Sequence, residues 1–194
     1  MIVYYAAMSL DGRIAGPDHD LSFLRTLDAG NDYEVFYAGV DSLIMGAGTW
    51  EFMVRHGSWP YAGKPTWIVT HAEELAELPG ADQIERFSGD LTELARLIEE
   101  RGLARTWLVG GGDLAGQLLA ADLLDELIVT IAPALVGRGP ALADGEFPLR
   151  RFRLAEQKPF GENGFRLRYE RASGTVSTRP VVDTTMPTVD ERAR

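Results

Sequence analysis

Two short apolar segments of this chain run directly into glycines and then into sequence typical of a helix. Residues 43–45 lead into Gly-Ala-Gly-Thr at 46–49, and residues 107–109 lead into three glycines at 110–112. Glycine lets the backbone approach a ligand closely, and a helix N-terminus presents unpaired N–H groups to an anion. The second junction, with Ala115, also matches a dinucleotide-binding fingerprint, which is weak evidence alone. One such junction is equally well a turn without a ligand, but two predict phosphate-facing turns at one sheet edge.

The predicted elements alternate between strands and helices along most of the chain. Apolar runs rich in β-forming residues predict strands, and amphipathic runs predict helices. The clearest helix begins with a capping box of Asp90 and Glu93 and ends at Gly102. The predicted strands are 2–8, 43–45, 66–70, 106–109, 127–132, 152–159 and 165–171, and the predicted helices are 21–40 (broken at Gly30), 49–54 (capped by Thr49), 90–101 and 113–121. This order predicts an α/β domain with a mixed, mostly parallel sheet that ends in an antiparallel hairpin.

Composition limits the kinds of protein that the chain can be. Of its 194 residues 45% are hydrophobic and 25% charged, which is typical of a globular protein, and we predict one domain over residues 1–171. Residues 172–194 lack aromatic side chains and are rich in Ser, Thr and Pro, which predicts a C-terminal tail. The net charge of −10 disfavours nucleic acid and anionic membranes, so we expect neither as a partner.

The chain contains no cysteine, and this excludes disulfides, thiolate metal sites and cysteine nucleophiles. The three histidines are widely spaced, so we expect no metal. No signal-type segment is present at the N-terminus, and a bacterial, cytoplasmic protein is the expectation.

Several motifs in a fixed order resemble the dihydrofolate-reductase-like superfamily. The closest branch is the reductase-domain family of riboflavin biosynthesis, which forms the C-terminal half of bifunctional deaminase-reductases. The resemblance covers residues 1–171 and is carried by residues 7–16, 45–51, 109–114, 125–127 and 132–139. It implies a three-layer fold, a stand-alone NADPH- or NADH-dependent reductase, and a homodimer.

The resemblance also implies where a dinucleotide would lie. The nicotinamide would lie against Ala7 and Ile14, the pyrophosphate between the two glycine turns, and the adenosine beside Thr70 and His71. A cis peptide bond is implied between Gly111 and Gly112. The implied cofactor-binding residues are Ala7, Ile14, Gly46, Ala47, Gly48, Thr49, Thr70, His71, Val109, Gly110, Gly111, Gly112, Asp113 and Leu114.

Two positions depart from the family pattern. Relatives carry an arginine at the position of Ala47, where it contacts the 2′-phosphate of NADPH. We therefore predict weak discrimination between NADPH and NADH, with His71 or Arg55 as alternative phosphate ligands. Riboflavin-pathway reductases carry a polar residue where Gly110 stands, and this favours a substrate other than the riboflavin precursor.

Two carboxylates are the candidates for catalysis, because reduction of an imine or carbonyl requires a proton donor. Asp32 opens a predicted helix where the superfamily places its substrate-binding carboxylate, and Glu34 is the neighbouring alternative. Asp32 is equally well an ordinary acidic residue at a helix N-terminus. Asp11 lies beside the predicted nicotinamide loop and either contacts substrate or organises a turn.

The leading hypothesis is thus a reductase that transfers a hydride from NADPH or NADH to a small pterin-like or pyrimidine-like heterocycle. The first alternative is a riboflavin-pathway reductase acting on 5-amino-6-ribosylaminouracil phosphate. The second is a dinucleotide-binding relative without catalytic activity, which the missing arginine at Ala47 favours.

Overall fold

The computed structural model describes residues 1–27 and 32–172. The predicted break at Gly30 and residues 173–194 of the predicted tail lie outside the described residues. No helix within the described ranges is both long and apolar enough to cross a membrane.

The described residues form an eight-stranded sheet of order β4-β3-β2-β5-β1-β6-β8-β7. The strands are β1 Ile2–Met8, β2 Ser42–Gly46, β3 Thr66–Val69, β4 Ile84–Phe87, β5 Thr106–Gly110, β6 Glu126–Ile131, β7 Phe152–Phe160 and β8 Gly164–Arg171. In this sheet order, the six neighbouring strands β4, β3, β2, β5, β1 and β6 are parallel to one another. Strand β8 pairs antiparallel with β6, and β7 pairs antiparallel with β8. The predicted fold class, a mostly parallel sheet that ends in a hairpin, is confirmed.

Helices cover both faces of the sheet and produce three layers. They are α1 Asp32–Ala38, α2 Ala47–His56, α3 Leu91–Glu100 and α4 Gly112–Ala120. Ile44 and Leu108 pack with α3 and α4 in one core, while Leu43 and Trp107 pack with α1 and α2 in the other. Both faces of the central strands are largely buried, which explains why most of their residues are apolar.

Several predicted boundaries differ from the structure. The predicted helix 21–40 is a 3₁₀ segment, Ser22–Thr26, followed by the separate α1. The prediction that Thr49 caps α2 is wrong, because that helix begins at Ala47 with Gly46 as its N-cap. The cis peptide bond joins Gly110 to Gly111, one residue before the predicted position. By contrast, the predicted helix 90–101 is confirmed, and the Asp90 side chain accepts a hydrogen bond from the N–H of Thr92.

A segment that we call the strap, residues 139–145, crosses the N-terminal half of α4. The N–H of Asp144 donates to the carbonyl of Gly112 over 2.9 Å, and the N–H of Leu142 donates to the carbonyl of Gly12 over 3.0 Å. Close approach requires glycine on α4: a Cβ at Gly112 would lie 2.1 Å from the Ala141 carbonyl oxygen. The strap therefore joins the loop after β1 to the start of α4.

Candidate functional site

A cavity of about 770 Å³ opens at the carboxyl-terminal ends of the parallel strands. Its lining includes Ala7 of β1, Gly46 of β2, Thr70 after β3 and Gly111 after β5. Ligands of open parallel sheets bind at this edge, in the crevice where neighbouring strands lead to helices on opposite faces. Here β2 leads to α2 and β5 leads to α4, which pack on opposite faces of the sheet.

The N-termini of α2 and α4 both lie at this cavity. Their N-cap residues are Gly46 and Gly111, and neither helix start has a side chain that caps its N–H groups. The two turns are adjacent, since a Cβ built on Gly46 would lie 3.8 Å from the nitrogen of Gly111. Two uncapped helix starts at one point leave several N–H donors and two positive dipole ends for an anion.

The structure brings together almost all of the residues predicted to bind a cofactor. Only Gly110 of that set does not line the cavity. The lining members are Ala7, Ile14, Gly46, Ala47, Gly48, Thr49, Thr70, His71, Val109, Gly111, Gly112, Asp113 and Leu114.

Neither predicted catalytic carboxylate lines the cavity. Asp11 lies beside it and accepts hydrogen bonds from the Ser9 hydroxyl over 2.6 Å and from the backbone N–H groups of Val136 and Gly137 over 2.9 and 2.7 Å. These bonds hold the pKa of the Asp11 carboxyl well below its usual range. Asp11 thus fastens the loop after β1 to residues 136–137, which is the contact pattern of a loop-organising aspartate.

Asp32 begins α1 and is held by two cations. Its Oδ2 atom lies 2.9 Å from the Lys158 ammonium and 3.0 Å from the Arg166 guanidinium. The hydrogen bond from Lys158 and the charge of Arg166 lower the pKa of Asp32, so the carboxylate is ionised in this arrangement. The alternative Glu34 is exposed on α1 and does not line the cavity.

The inner wall of the cavity is apolar and largely aromatic, a feature that the sequence-based prediction missed. It is formed by Tyr5, Phe52, Met53, Tyr61 and Trp107. Such a wall suits a planar ligand and excludes water around it. The available signal was closeness in sequence to the predicted contact Ala7, because all four residues from Tyr4 to Ala7 line the cavity.

Further lining residues come from segments whose role the sequence did not indicate. His19, Leu21 and Leu24 line the cavity from the segment after β1, and Ser88 and Gly89 line it from the end of β4. No lysine or arginine of the described chain lines this cavity. The donors available to an anion therefore include backbone N–H groups and the side chains of Thr49, His19 and His71.

A smaller cavity of about 370 Å³ adjoins the first and shares Ala47, Thr70 and Ala72 with it. Glu51, Arg55 and Glu74 also line this smaller cavity, so acidic side chains outnumber the single arginine there. His71, the other candidate ligand for a 2′-phosphate, lines the larger cavity instead. Within the described residues, no three side chains of His, Asp or Glu cluster closely enough to hold a metal ion.

Residues 1–164 match the family model of the RibD C-terminal domain. The chain belongs to this family. The uncharacterised Bacillus subtilis protein YwjB is 32% identical over 173 residues, which cover 88% of this chain and 97% of YwjB. This family resemblance was predicted from the sequence and is confirmed.

Two further relatives are similar to this chain over shorter stretches. The 2,5-diamino-6-ribosylamino-4(3H)-pyrimidinone 5′-phosphate reductase of Archaeoglobus fulgidus is 28% identical over 46% of this chain and 43% of its own length. The riboflavin biosynthesis protein RibD of Haemophilus influenzae is 36% identical over 38% of this chain but only 20% of its own length. The relatives of this chain thus include one protein named as a pyrimidinone 5′-phosphate reductase and one named as a riboflavin biosynthesis protein.

Solved structures confirm the dihydrofolate-reductase-like fold. A Shewanella sp. PV-4 protein superposes with a TM-score of 0.79 at 24% identity, over 88% of this chain and 98% of the other. A pyrimidine reductase-like protein of Corynebacterium diphtheriae superposes with a TM-score of 0.69 at 12% identity, over 89% and 92% of the two chains.

Proposed function

We propose that this member of the RibD C-terminal domain family is a reductase that uses NADPH or NADH to reduce a ribosylaminopyrimidine phosphate or a similar small heterocycle. The observation that carries the proposal is the convergence of two uncapped helix N-termini, at Gly46 and Gly111, on one cavity with an aromatic inner wall. The relative named as a pyrimidinone 5′-phosphate reductase and the relative named as a riboflavin biosynthesis protein support the substrate class.

The cavity suits a nicotinamide dinucleotide in three respects. The turns at residues 46–49 and 111–113 offer N–H donors to the pyrophosphate, and the Thr49 hydroxyl lies beside both turns. Ala7 and Ile14 line the same cavity as the aromatic side chains, a combination that suits a flat nicotinamide ring. The bound dinucleotide would supply the hydride, while the protein positions substrate and excludes water.

The direct test is turnover. Purified protein is mixed with NADPH or NADH and a panel of ribosylaminopyrimidine phosphates, free pyrimidines and pterins, and oxidation of the nicotinamide is followed by absorbance. Reduction of a pyrimidine phosphate supports the proposal. Dinucleotide binding without turnover on any of these compounds would favour the non-catalytic alternative.

A homodimer and a cytoplasmic location stay predictions, and light scattering of the purified protein tests the homodimer.

Replacing Gly111 with valine is expected to weaken dinucleotide binding at least tenfold, or about 1.4 kcal/mol. Gly111 has ordinary backbone angles, φ −90° and ψ −177°. A Cβ there would lie 3.8 Å from its nearest neighbour, the Thr49 hydroxyl, so the protein itself has room for it. The added methyl groups would occupy the space through which a pyrophosphate approaches the N–H groups of α4. Titration of tryptophan fluorescence with NADPH and with NADH measures the effect.

The control for this experiment is Gly39→Val, at an exposed glycine outside the cavity. Both variants are checked by circular dichroism and thermal melting. If folded Gly111→Val binds the dinucleotide as tightly as the wild type, the pyrophosphate does not lie at this turn.

We also expect NADPH and NADH to bind with similar affinity, and Ala47→Arg to tighten NADPH by about one to two orders of magnitude. An arginine–phosphate hydrogen bond of this kind contributes about 1.5–3 kcal/mol. Ala47 has no side-chain donor, and Glu51 and Glu74 in the adjoining cavity oppose an extra phosphate. NADH lacks that phosphate, so its affinity is expected to stay nearly unchanged.

Ala47→Gln is the matched variant, because it adds a long side chain without a charge. It is expected to alter both affinities equally. A wild-type protein that strongly prefers NADPH, and loses the preference in Arg55→Ala or His71→Ala, would show that one of these residues already binds the 2′-phosphate.

A further inference from the structure

The hydroxyl group of Tyr5, a residue of β1, is held by a buried arginine. Tyr5 lines the cavity, as does Ala7 two residues further along β1. Side chains two residues apart on a strand project from the same face about 7 Å apart. The phenol is therefore a neighbour of the surface on which the proposed nicotinamide would lie.

The Arg166 guanidinium positions this hydroxyl. Arg166 on β8 is only 8% exposed, and its Nη2 atom donates to the Tyr5 oxygen over 2.6 Å. Its remaining nitrogens contact the Asp32 carboxylate over 3.0 Å and the Thr130 hydroxyl over 3.3 Å. Each contact fixes the orientation of the guanidinium, and Asp32 balances its charge. Asp32 does not line the cavity, and Arg166 connects its carboxylate to the hydroxyl of Tyr5, which is a lining residue.

The hydrogen bond from Arg166 leaves the proton of Tyr5 available. Among the described residues, the Tyr5 hydroxyl has Arg166 as its one hydrogen-bond partner, and it accepts in that bond. The ring is held in place by stacking on Phe36, with centroids 4.1 Å apart, and by edge contact with Trp107. Burial raises the pKa of Tyr5 while Arg166 opposes that effect, so the group is a neutral phenol at pH 7.

We propose that Tyr5 is the proton donor of the reductase reaction and that Arg166 and Asp32 are its positioning residues. This inference rests on the proposed function. The unsaturated carbon of the substrate, in a C=N or C=O bond, accepts the hydride of the dinucleotide and forms a new C–H bond. The π electron pair moves to the nitrogen or oxygen, which takes the proton from the Tyr5 hydroxyl. The resulting phenolate is stabilised by Arg166 and regains a proton from solvent.

The test compares Tyr5→Phe with Tyr37→Phe. Tyr5→Phe keeps the ring that stacks on Phe36 and removes only the hydroxyl. Tyr37 belongs to the same aromatic cluster but does not line the cavity, and its buried hydroxyl has no hydrogen-bond partner among residues 1–27 and 32–172. A positioned proton donor contributes about 10²–10⁴-fold in rate. We expect kcat to fall at least about 100-fold in Tyr5→Phe and less than about twofold in Tyr37→Phe.

Measurements of dinucleotide binding distinguish failure of this inference from failure of the proposed function on which it rests. Affinity for NADPH and NADH is measured by fluorescence titration and is expected to be unchanged in both variants. Turnover of Tyr5→Phe equal to that of the wild type would overturn the role of Tyr5 and leave the reductase intact. Loss of dinucleotide binding together with turnover would show that Tyr5 is a binding residue, which also overturns the inference. A wild-type protein that reduces no compound of the panel would overturn the proposed function, and the inference with it.

Discussion

Gly116→Ala is expected to destabilise the protein by about 3 kcal/mol, the upper end of the usual cost of overpacking, because backbone must move to admit the methyl group. A Cβ on Gly116 would lie 1.6 Å from the carbonyl oxygen of Asp144 in the strap. Gly116 is buried in the middle of α4, so the methyl group cannot turn away. The strap or the helix must shift instead. For a domain of this size, we expect the Tm to fall by roughly 6–12 °C in a thermal unfolding experiment.

The matched control is Gly39→Ala. Gly39 is exposed, and a Cβ there would lie 3.6 Å from the Phe36 carbonyl oxygen, which is ordinary contact. The free energy of unfolding of Gly39→Ala is expected to differ from that of the wild type by less than about 0.5 kcal/mol. Equal melting temperatures for the two variants would contradict the close packing of the strap on α4. Because Ala141 and Asp144 of the strap line the cavity, a folded Gly116→Ala protein should also bind the dinucleotide more weakly.

The second large effect is expected at Glu126, a buried carboxylate on β6. Glu126 is 5% exposed and pairs with Arg105 over 2.8 Å and with Arg168 over 3.1 Å. Glu126→Ala would leave Arg105 without its carboxylate partner. Removing one member of a buried pair costs about 3–5 kcal/mol, and the partial exposure of both arginines places the expected loss near 3 kcal/mol. Urea unfolding followed by circular dichroism measures this loss.

A surface pair provides the comparison. Arg96 and Glu100 lie 3.1 Å apart on α3, with side chains 72% and 58% exposed. An exposed pair of this kind contributes about 0–1 kcal/mol, so Glu100→Ala is expected to have little effect. If both alanine variants unfold at the same urea concentration, the buried ion pairs of Glu126 contribute no more to stability than the exposed pair of Arg96 and Glu100.

Patterns within short stretches of sequence predicted two kinds of element. These are strands buried on both faces, and helices whose capping and terminating residues are recognisable in the sequence. β1 and β6 are continuous apolar runs, and α3 has both an aspartate cap and a terminating glycine. The two glycine turns were predicted for the same reason, since each follows an apolar strand directly. Residues at these turns therefore line the cavity as expected.

The remaining features depend on contacts between distant segments. β4 was not predicted because its centre is Glu85-Arg86, two exposed charged residues typical of an edge strand. Asp32 has Lys158 and Arg166 as its partners, and no pattern around Asp32 indicates residues more than a hundred positions away. Tyr5 was predicted only as part of a strand, because the folded sheet alone brings its hydroxyl to Arg166 and its side chain into the cavity lining.

The central position of β1 in the sheet has a consequence for how the chain folds as it is synthesised. Ile2 pairs with Thr106 of β5, and Val3 pairs with Glu126 of β6, so both neighbours of β1 are made much later. Translation at about 5–20 residues per second separates β1 from β5 by roughly 5–20 s. During that interval the apolar β1 has neither partner available, and an unpaired strand of this kind is prone to aggregation. The strand at the centre of the finished sheet is thus synthesised well before either of the strands that pair with it.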